Sequence, residues 1–577
     1  MNPELTPTYY NRKTIIVVLS LGLLCFAAYG TSIHNGFLMD DAKAVQQNIL
    51  IRNLLSFPQY FHQPFMKGYY RPMTQFSFAL DYLIWKLNPL GYHLTSIAIH
   101  FLNSVLLFIL LQIIWERFAL SSVVSFLFAV HPLGSIAVNY VADRSNLLGT
   151  LFMLSALIAF CVAWKGYDRR FYLVGFLFFI CSLLSHESAI LFPLYLFCTL
   201  SLLSKKSDTK KLIILTGFAI FISFGYYLLH ILFFNFGTKI FPDIKLQEYF
   251  RNLPALFYLI FKYLLLAIWP VNICLIRSLA PMPTFSPLGI FYIFLGIVFI
   301  SLVLIKFRKN RVILFSLAWF LIGVLPLYRM MFARPEMGLI MQDNWIYFAS
   351  IGLLIIYGQC ILFLRKFFKK WLILLLALLF FYINLDLFNN ALWKNGETYC
   401  SYWLKVVPKN PLAFNGMGVF YTDRKNYKKA KEYFLKGVFC CRKINGLSVT
   451  NELIPGRLLG ELLNNLAIVS DMEGNPDEAR RYCELAIMSY NNNSDAYFFL
   501  GNLYLRKNDI DKAILYYKES VKKNYYRMDA HRQLALLYSL KGNKKEAIKE
   551  AMAAISLDPN CFNVFGNTQG VRNTKEK

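Results

Sequence analysis

The sequence predicts an all-α protein in two parts: a polytopic membrane helix bundle of about 11 spans, followed by a solenoid of short helix-pair repeats. Three observations carry this. Apolar runs of spanning length recur through residues 1–390, short basic gaps separate them, and Ala-centred segments recur at a fixed period beyond residue 390. Hydrophobic residues make up 57% and charged residues 16%, with a mean hydropathy of +0.45. Soluble proteins carry about 25% charged residues, so a soluble globular enzyme is excluded. So apolar a chain is not disordered either.

A spanning helix needs about 20 apolar residues. Candidates lie at 14–30, 93–115, 118–133, 145–164, 171–185, 188–204, 211–234, 254–275, 287–306, 311–328, 346–364 and 371–388. Basic gaps fall at Lys165–Arg170, Lys205–Lys211, Lys306–Arg311 and Arg365–Lys370. Short basic loops mark the cytoplasmic side. With Arg12 and Lys13 also inside, these gaps permit eleven crossings, and 254–275, broken by Trp269-Pro270, is read as re-entrant or flat. Nine of the fourteen acids of this half fall on the opposite loops or helix ends, all but Glu4, Glu116, Asp168, Asp208 and Asp386, and none is read as buried mid-span. The net charge of +27 then reflects membrane topology, and nucleic acid is excluded as a partner. The eleven Cys residues form no C-x-x-C pair, and the N-terminal apolar run is read as a retained first helix.

The expected domains are 1–390, with a first outer loop at 31–92, and 391–577. In the second, Ala479, Ala513 and Ala547 are spaced by 34 residues, and Ala430 precedes Ala479 by 34 plus a 15-residue insertion. Gly418, Ala467, Gly501 and Ala535 lie twelve residues before each, where two helices must approach closely. A 34-residue period of this kind defines tetratricopeptide repeats. Four repeats are expected, with a half-repeat in 393–410 and closing prolines at Pro408 and Pro559. Asn415, Asn465, Asn502 and Gln533 are expected on the concave face.

The outer loop carries the candidate chemistry. Asp40 and Asp41 are adjacent, so their charges repel and one of them is expected to hold a proton more tightly than usual, suiting it to act as a base or a metal ligand. Tyr70-Arg71-Pro72 adds a guanidinium fork suited to phosphate, and the rest of the loop reads as helices lying on the membrane. No Gly-rich phosphate loop, H-E-x-x-H or G-x-S-x-G motif occurs.

Taken in order, "GFLMDDAKAVQQN", "YYRPMTQFSFALDYLIWKLNPLGYHLTSIAIHFLNSVLLF", "HPLGSIAVNYVADRSNLLGTLFMLSALIAF", "SHESAILFPLYLF" and "DNWIYFASIGL", closed by the repeats, resemble one family over essentially the whole chain. It is the transmembrane-and-tetratricopeptide (TMTC) O-mannosyltransferases and their bacterial relatives, within the GT-C glycosyltransferases. The resemblance implies that Asp40 or Asp41 is the general base. It places Arg71, His93, His100, His131, Arg144, Glu187 and Asp343 on motif positions, the donor-phosphate and substrate set being Arg71, His93, His131, Arg144, Glu187 and Asp343. Asp343-Asn344-Trp345-Ile346-Tyr347 lacks the family's Arg, whose place Arg329, Arg334 or Arg144 would have to take. The implied partners are a polyprenyl-phosphate-linked sugar, an acceptor polypeptide on the repeat groove and the bilayer. No cofactor is assigned, and a divalent metal is compatible with the carboxylate pair. The expected location is a bacterial inner membrane with the repeats outside, or the endoplasmic reticulum if eukaryotic. The competing reading is a membrane scaffold whose repeats recruit a partner.

Overall fold

The computed structural model describes residues 12–66, 69–232, 245–334, 337–445, 448–558 and 561–562. They divide into a unit of 1–333 with 339–406 and a unit of 334–338 with 407–577. The division falls at Val406/Val407. Residues 391–406, expected with the repeats, pack instead in the membrane unit: Trp403 donates through its indole N–H to the Ile276 carbonyl at 2.7 Å, and the Tyr399 hydroxyl accepts from the Leu275 N–H at 3.0 Å.

In the first unit, helix α1 covers Arg12–Tyr29, and the outer loop winds through short turns to α2, Pro72–Trp85. Then come α3 (Pro89–Trp115), α4 (Phe118–Val130), α5 (Ser135–Asn139), α6 (Arg144–Trp164), α7 (Arg170–Leu183), α8 (Phe192–Leu203) and α9 (Thr209–Leu232). After these follow α10 (Leu246–Arg251), α11 (Pro254–Ile268), strand β1 (Arg277–Leu279), α12 (Pro287–Lys306), α13 (Arg311–Val324) and α14 (Leu327–Met330). Strand β2 (Leu339–Met341), α15 (Ser350–Leu364), α16 (Trp371–Leu392) and α17 (Gly396–Val406) complete the unit. Each of the twelve apolar runs contains a helix, that of 254–275 ending at Ile268. Among the described residues, six helices are long and apolar enough to cross a membrane; α4 and the segment through α5, bent by 51° at His131-Pro132, form either a broken span or a re-entrant loop, and five shorter apolar helices accompany them. Lengths alone therefore leave the eleven-span count open.

Helix starts follow capping chemistry. Asn88 accepts from the Leu90 N–H with Pro89 in the first turn of α3, and Asn310 caps α13 in the same way. The central helices are α3 and α6. On α3, His93, Ser96, His100, Asn103 and Ser104 form a buried polar stripe at three- and four-residue spacing. Away from the core, Leu19, Ile213, Phe221 and Phe294 stay exposed, as a lipid-facing surface requires.

Helix directions sort the unit into two ends. α6 starts at Arg144, near Asp41, and runs to Lys165; α7 returns to Glu187, which is bonded to Arg71. α16 finishes at Asn390, which is bonded to Asn35 and Asn139 beside the same loop. The four basic gaps thus lie at the end opposite Asp41. α1 thus starts at that end, and α16 finishes at the other.

The second unit stacks four helix pairs: α18 (Pro411–Asp423) with α19 (Tyr427–Cys440), α20 (Arg457–Met472) with α21 (Pro476–Ser489), α22 (Ser494–Arg506) with α23 (Ile510–Lys523), and α24 (Met528–Leu540) with α25 (Lys544–Leu557). A hairpin of β3 (Arg442–Asn445) and β4 (Ser448–Leu453) accommodates the insertion. A Cβ at Gly501 would stand 2.6 Å from the Tyr517 ring, and one at Gly418 2.3 Å from Phe434. These positions are small because two helices touch there. Asn465 donates to Asn415 at 2.9 Å, so these two amides bridge neighbouring repeats, and Asn502 accepts from the Tyr517 hydroxyl at 2.7 Å. Pro559 lies outside the described residues.

Candidate functional site

The turn Leu38–Asp41 separates two adjacent carboxylates. The Asp41 N–H donates to the Leu38 carbonyl at 3.0 Å, and Met39 adopts a left-handed conformation (φ 53°). A non-glycine residue there is strained and must be held by its surroundings. The bend turns Asp40 outward and Asp41 inward: Asp40 is exposed, whereas Asp41 is 1% exposed. Asp41 accepts from the Ala142 N–H at 2.6 Å and the Leu38 N–H at 3.0 Å. Burial pushes its carboxyl up to about 8, against the opposing pull of these two N–H groups, and the charge on Asp40 adds to the rise. Tyr140, buried beside the turn, has both carboxylates as electrostatic neighbours.

The short segment from Tyr140 to Asn146 collects the other motifs. The Ala142 N–H holds Asp41. Asp143 accepts from Asn146 at 2.8 Å and from Asn344 at 3.0 Å. Arg144 pairs with Asp81 and donates to the Tyr92 carbonyl at 2.6 Å, with its guanidinium over the Phe78 ring. Ser145 accepts from Arg71 Nη1 at 2.9 Å. The outer loop, α2, α3 and the segment after β2 therefore meet on one 3₁₀-to-helix junction.

Arg71 immediately precedes α2 and forks onto Glu187, with Nε–Oε1 at 3.0 Å and Nη2–Oε2 at 2.7 Å, and it lies 4.2 Å over the Tyr69 ring. Three of its five N–H donors are engaged and two remain. The neighbouring His186 hydrogen-bonds Ser188 at 2.8 Å and leaves this fork intact.

The remaining expected residues are enclosed. His131 accepts from the Leu133 N–H at 3.3 Å and donates from Nε2 to the Ala267 carbonyl at 3.0 Å, so both ring nitrogens are in use at the α4–α5 bend. His100 accepts from Tyr347 at 2.6 Å and faces the Ala129 carbonyl at 3.2 Å. His93 is fully buried and neither ring nitrogen meets a partner at hydrogen-bond geometry. Asp343 is fully buried and forks onto Arg277 at 3.0 and 2.6 Å, while accepting from the Cys274 N–H at 2.9 Å; this pins β1 against β2. Asn344 donates to Asp143, and Arg144 is paired with Asp81.

Sequence reasoning missed Arg277. The available sign was a lone basic residue outside every basic gap. It also read no acid as buried mid-span, yet Asp386 is fully buried within α16, beside the Tyr29 phenol. Among the described residues no three His, Cys, Asp or Glu side chains converge as a metal-ligand set. A cavity of about 680 Å³, bounded by Val18, Phe108, Ile158 and Phe171, lies toward the basic end of the unit, away from Asp41.

Residues 472–525 and 498–560 match the tetratricopeptide repeat family. Human protein O-mannosyl-transferase TMTC3 is 23% identical over 635 positions, covering 95% of this chain and 68% of the relative. Its mouse counterpart is 23% identical, covering 92% and 66%. The curated relatives of this chain are TMTC protein O-mannosyl-transferases. Human TMTC1 is 28% identical over 33% of the chain and 24% of its own length. The chain spans about two thirds of the length of the TMTC3 proteins it matches. Among solved structures, MamA is 24% identical at a TM-score of 0.22, covering 28% of this chain and 85% of its own. YrrB, a TPR protein, is 20% identical at 0.23, covering 32% and 89%.

Proposed function

We propose that this protein is a multi-pass membrane glycosyltransferase of GT-C type, which moves a mannose-like sugar from a polyprenyl phosphate to a polypeptide Ser or Thr hydroxyl with inversion. The observation that carries the reading is the Asp40–Asp41 turn, in which one carboxylate is solvent-facing and its neighbour is locked to the Tyr140–Asn146 junction. Of the two, Asp40 is the base. A base must come within hydrogen-bond reach of the hydroxyl it serves; Asp40 is exposed, whereas both Asp41 oxygens accept backbone N–H groups inside the protein.

In the reaction, Asp40 takes the hydroxyl proton and the oxygen attacks the anomeric carbon opposite the phosphate. The bond from that carbon to the phosphate oxygen breaks, and its electron pair leaves with the phosphate. The two uncommitted N–H donors of Arg71 are suited to the growing negative charge. His93, His131, Arg144, Glu187 and Asp343 act by positioning, because their polar atoms are turned to the protein's own interior.

The names of the relatives support a protein acceptor, and the placement of all four basic gaps at the opposite end supports a site on the non-cytoplasmic face. In a bacterium that face is the periplasmic side of the inner membrane; in a eukaryote it is the lumen of the endoplasmic reticulum. The repeats lie on the same side and present the polypeptide acceptor. The experiment is transfer by the purified protein in liposomes from polyprenyl-phosphate mannose to a Ser/Thr-containing protein, with the product's anomeric configuration read by NMR. Inverted, donor-dependent transfer is expected. A protein that binds partners through its repeats but transfers no sugar would establish the scaffold reading.

A further inference from the structure

Four buried asparagines meet where α16 ends. Asn389 and Asn390 belong to the last turn of α16, Asn139 closes α5, and Asn35 opens the stretch that leads into the Leu38–Asp41 turn. Asn390 is engaged on every side. Its amide donates to the Ala28 carbonyl at 2.7 Å and to the Thr31 hydroxyl at 2.9 Å, and its side-chain oxygen accepts from Asn139 at 2.8 Å. Its backbone carbonyl is one of the last four, which a helix leaves to outside donors, and it accepts from the Asn35 amide at 2.9 Å. The same Asn35 amide reaches the Asn139 oxygen at 3.4 Å. A buried amide is costly unless its donors and acceptors are met, so these residues hold one another in one register.

That register places the loop that carries Asp40. The loop is tied at its far end, where Asp41 accepts from the Ala142 N–H. The asparagines tie its near end through Asn35, and they tie it to the same partner, because Asn139 leads directly into the Tyr140–Asn146 junction that presents Ala142. Tyr140 also stacks on Trp393, just past the end of α16, with ring centres 5.4 Å apart and 25° between planes. Between the two ties sits Met39, whose left-handed backbone has to be imposed by its surroundings. With one tie alone the turn would be free to pivot about Asp41 and swing Asp40 away from the reacting hydroxyl. We propose that Asn390, acting through Asn35 and Asn139, is a positioning residue for the Asp40 base; this rests on the transferase reading.

The full chain in nanodiscs is compared as wild type, Asn390→Ala, Asn35→Ala and Asn389→Ala, at a temperature where all are folded. Transfer from polyprenyl-phosphate mannose gives kcat and KM. Hydrogen exchange of peptides covering 37–46 and 139–146 reports the turn and its clasp without any transfer. Asn390→Ala and Asn35→Ala are each expected to lower kcat about 10- to 100-fold with KM unchanged, the scale of a base displaced by about 1 Å. Both peptides should exchange about tenfold faster, the scale of one lost hydrogen bond. Asn35→Ala disturbs fewer partners and carries the test if Asn390→Ala does not fold. Asn389 bonds the Ser135 hydroxyl at 3.3 Å rather than the loop, so Asn389→Ala loosens the same helix end and should keep wild-type kcat and exchange. An equal loss of kcat in Asn389→Ala overturns the proposal, since the helix end would then matter only as packing. Unchanged exchange in Asn390→Ala and Asn35→Ala overturns it as well, and so does faster exchange with an unchanged kcat. A wild type that transfers no sugar refutes the transferase reading instead, while the exchange comparison still reports whether the asparagines hold the turn.

Discussion

Breaking the fork between Arg71 and Glu187 separates a structural clamp from a bare charge. Arg71 is 9% exposed and engages three N–H groups, two on Glu187 and one on Ser145. Removing either partner of such a pair leaves an uncompensated charge, which costs about 3–5 kcal/mol. Arg71→Met and Glu187→Leu should each lose that much, yet the double variant should lose much less than their sum, giving a coupling of roughly 2–3 kcal/mol. Ser145→Ala, which orphans one N–H, should cost about 1 kcal/mol. The assay is denaturant unfolding of the detergent-solubilised chain, followed by tryptophan fluorescence, for all four members of the cycle. Additive single losses would refute the reasoning, since they would mean that each side chain is held by something other than its partner.

Other consequences follow from the same geometry. Asp41 keeps its proton in the folded chain up to about pH 8, whereas the unfolded chain gives it up near pH 4. Between those values the folded state binds the extra proton, so rising pH lowers stability by at most about 1.4 kcal/mol per unit, with the full penalty reached above pH 8. Asp41→Asn should flatten that slope in melting scans from pH 4.5 to 8.5, and an unchanged profile would contradict the burial of Asp41. Asp81→Asn should cost about 3–5 kcal/mol by stranding the fully buried Arg144, and a change under 1 kcal/mol would show that the pair is not closed. Gly501→Ala drives a methyl to within 2.6 Å of the Tyr517 ring and should cost about 1–3 kcal/mol, read as faster hydrogen exchange in α22 and α23.

Much of this architecture was legible in the sequence because its signals are periodic or local. Apolar runs mark helices whatever they pack against, and the spacing of Ala479, Ala513 and Ala547 reports helix contacts that repeat. The Asp40-Asp41 pair was visible, but its division of labour was not. Which carboxylate turns inward depends on the Met39 backbone and on an N–H from Ala142, a residue 101 positions away. For the same reason the basic and imidazole residues at motif positions looked alike in sequence, although Arg144 is fully buried on Asp81 and the Tyr92 carbonyl, both His131 ring nitrogens are in use, and Arg71 forks onto the partly exposed Glu187. Arg277 carried no motif, and its pairing with Asp343 exists only because two short strands align. The boundary at Val406 was hidden because α17 is amphipathic like a repeat helix; only the bonds of Tyr399 and Trp403 assign it to the membrane unit.

The central claim, that Asp40 is the base in a sugar transfer, is tested most directly by single-turnover transfer from polyprenyl-phosphate mannose, comparing the wild type with Asp40→Asn in liposomes. Because Asp40 is solvent-facing, the substitution should leave the melting temperature unchanged within the scale of a surface change, about 0.5 kcal/mol. The account predicts a rate loss of about 10²–10⁴-fold with this stability preserved. A near-normal rate in Asp40→Asn would contradict it.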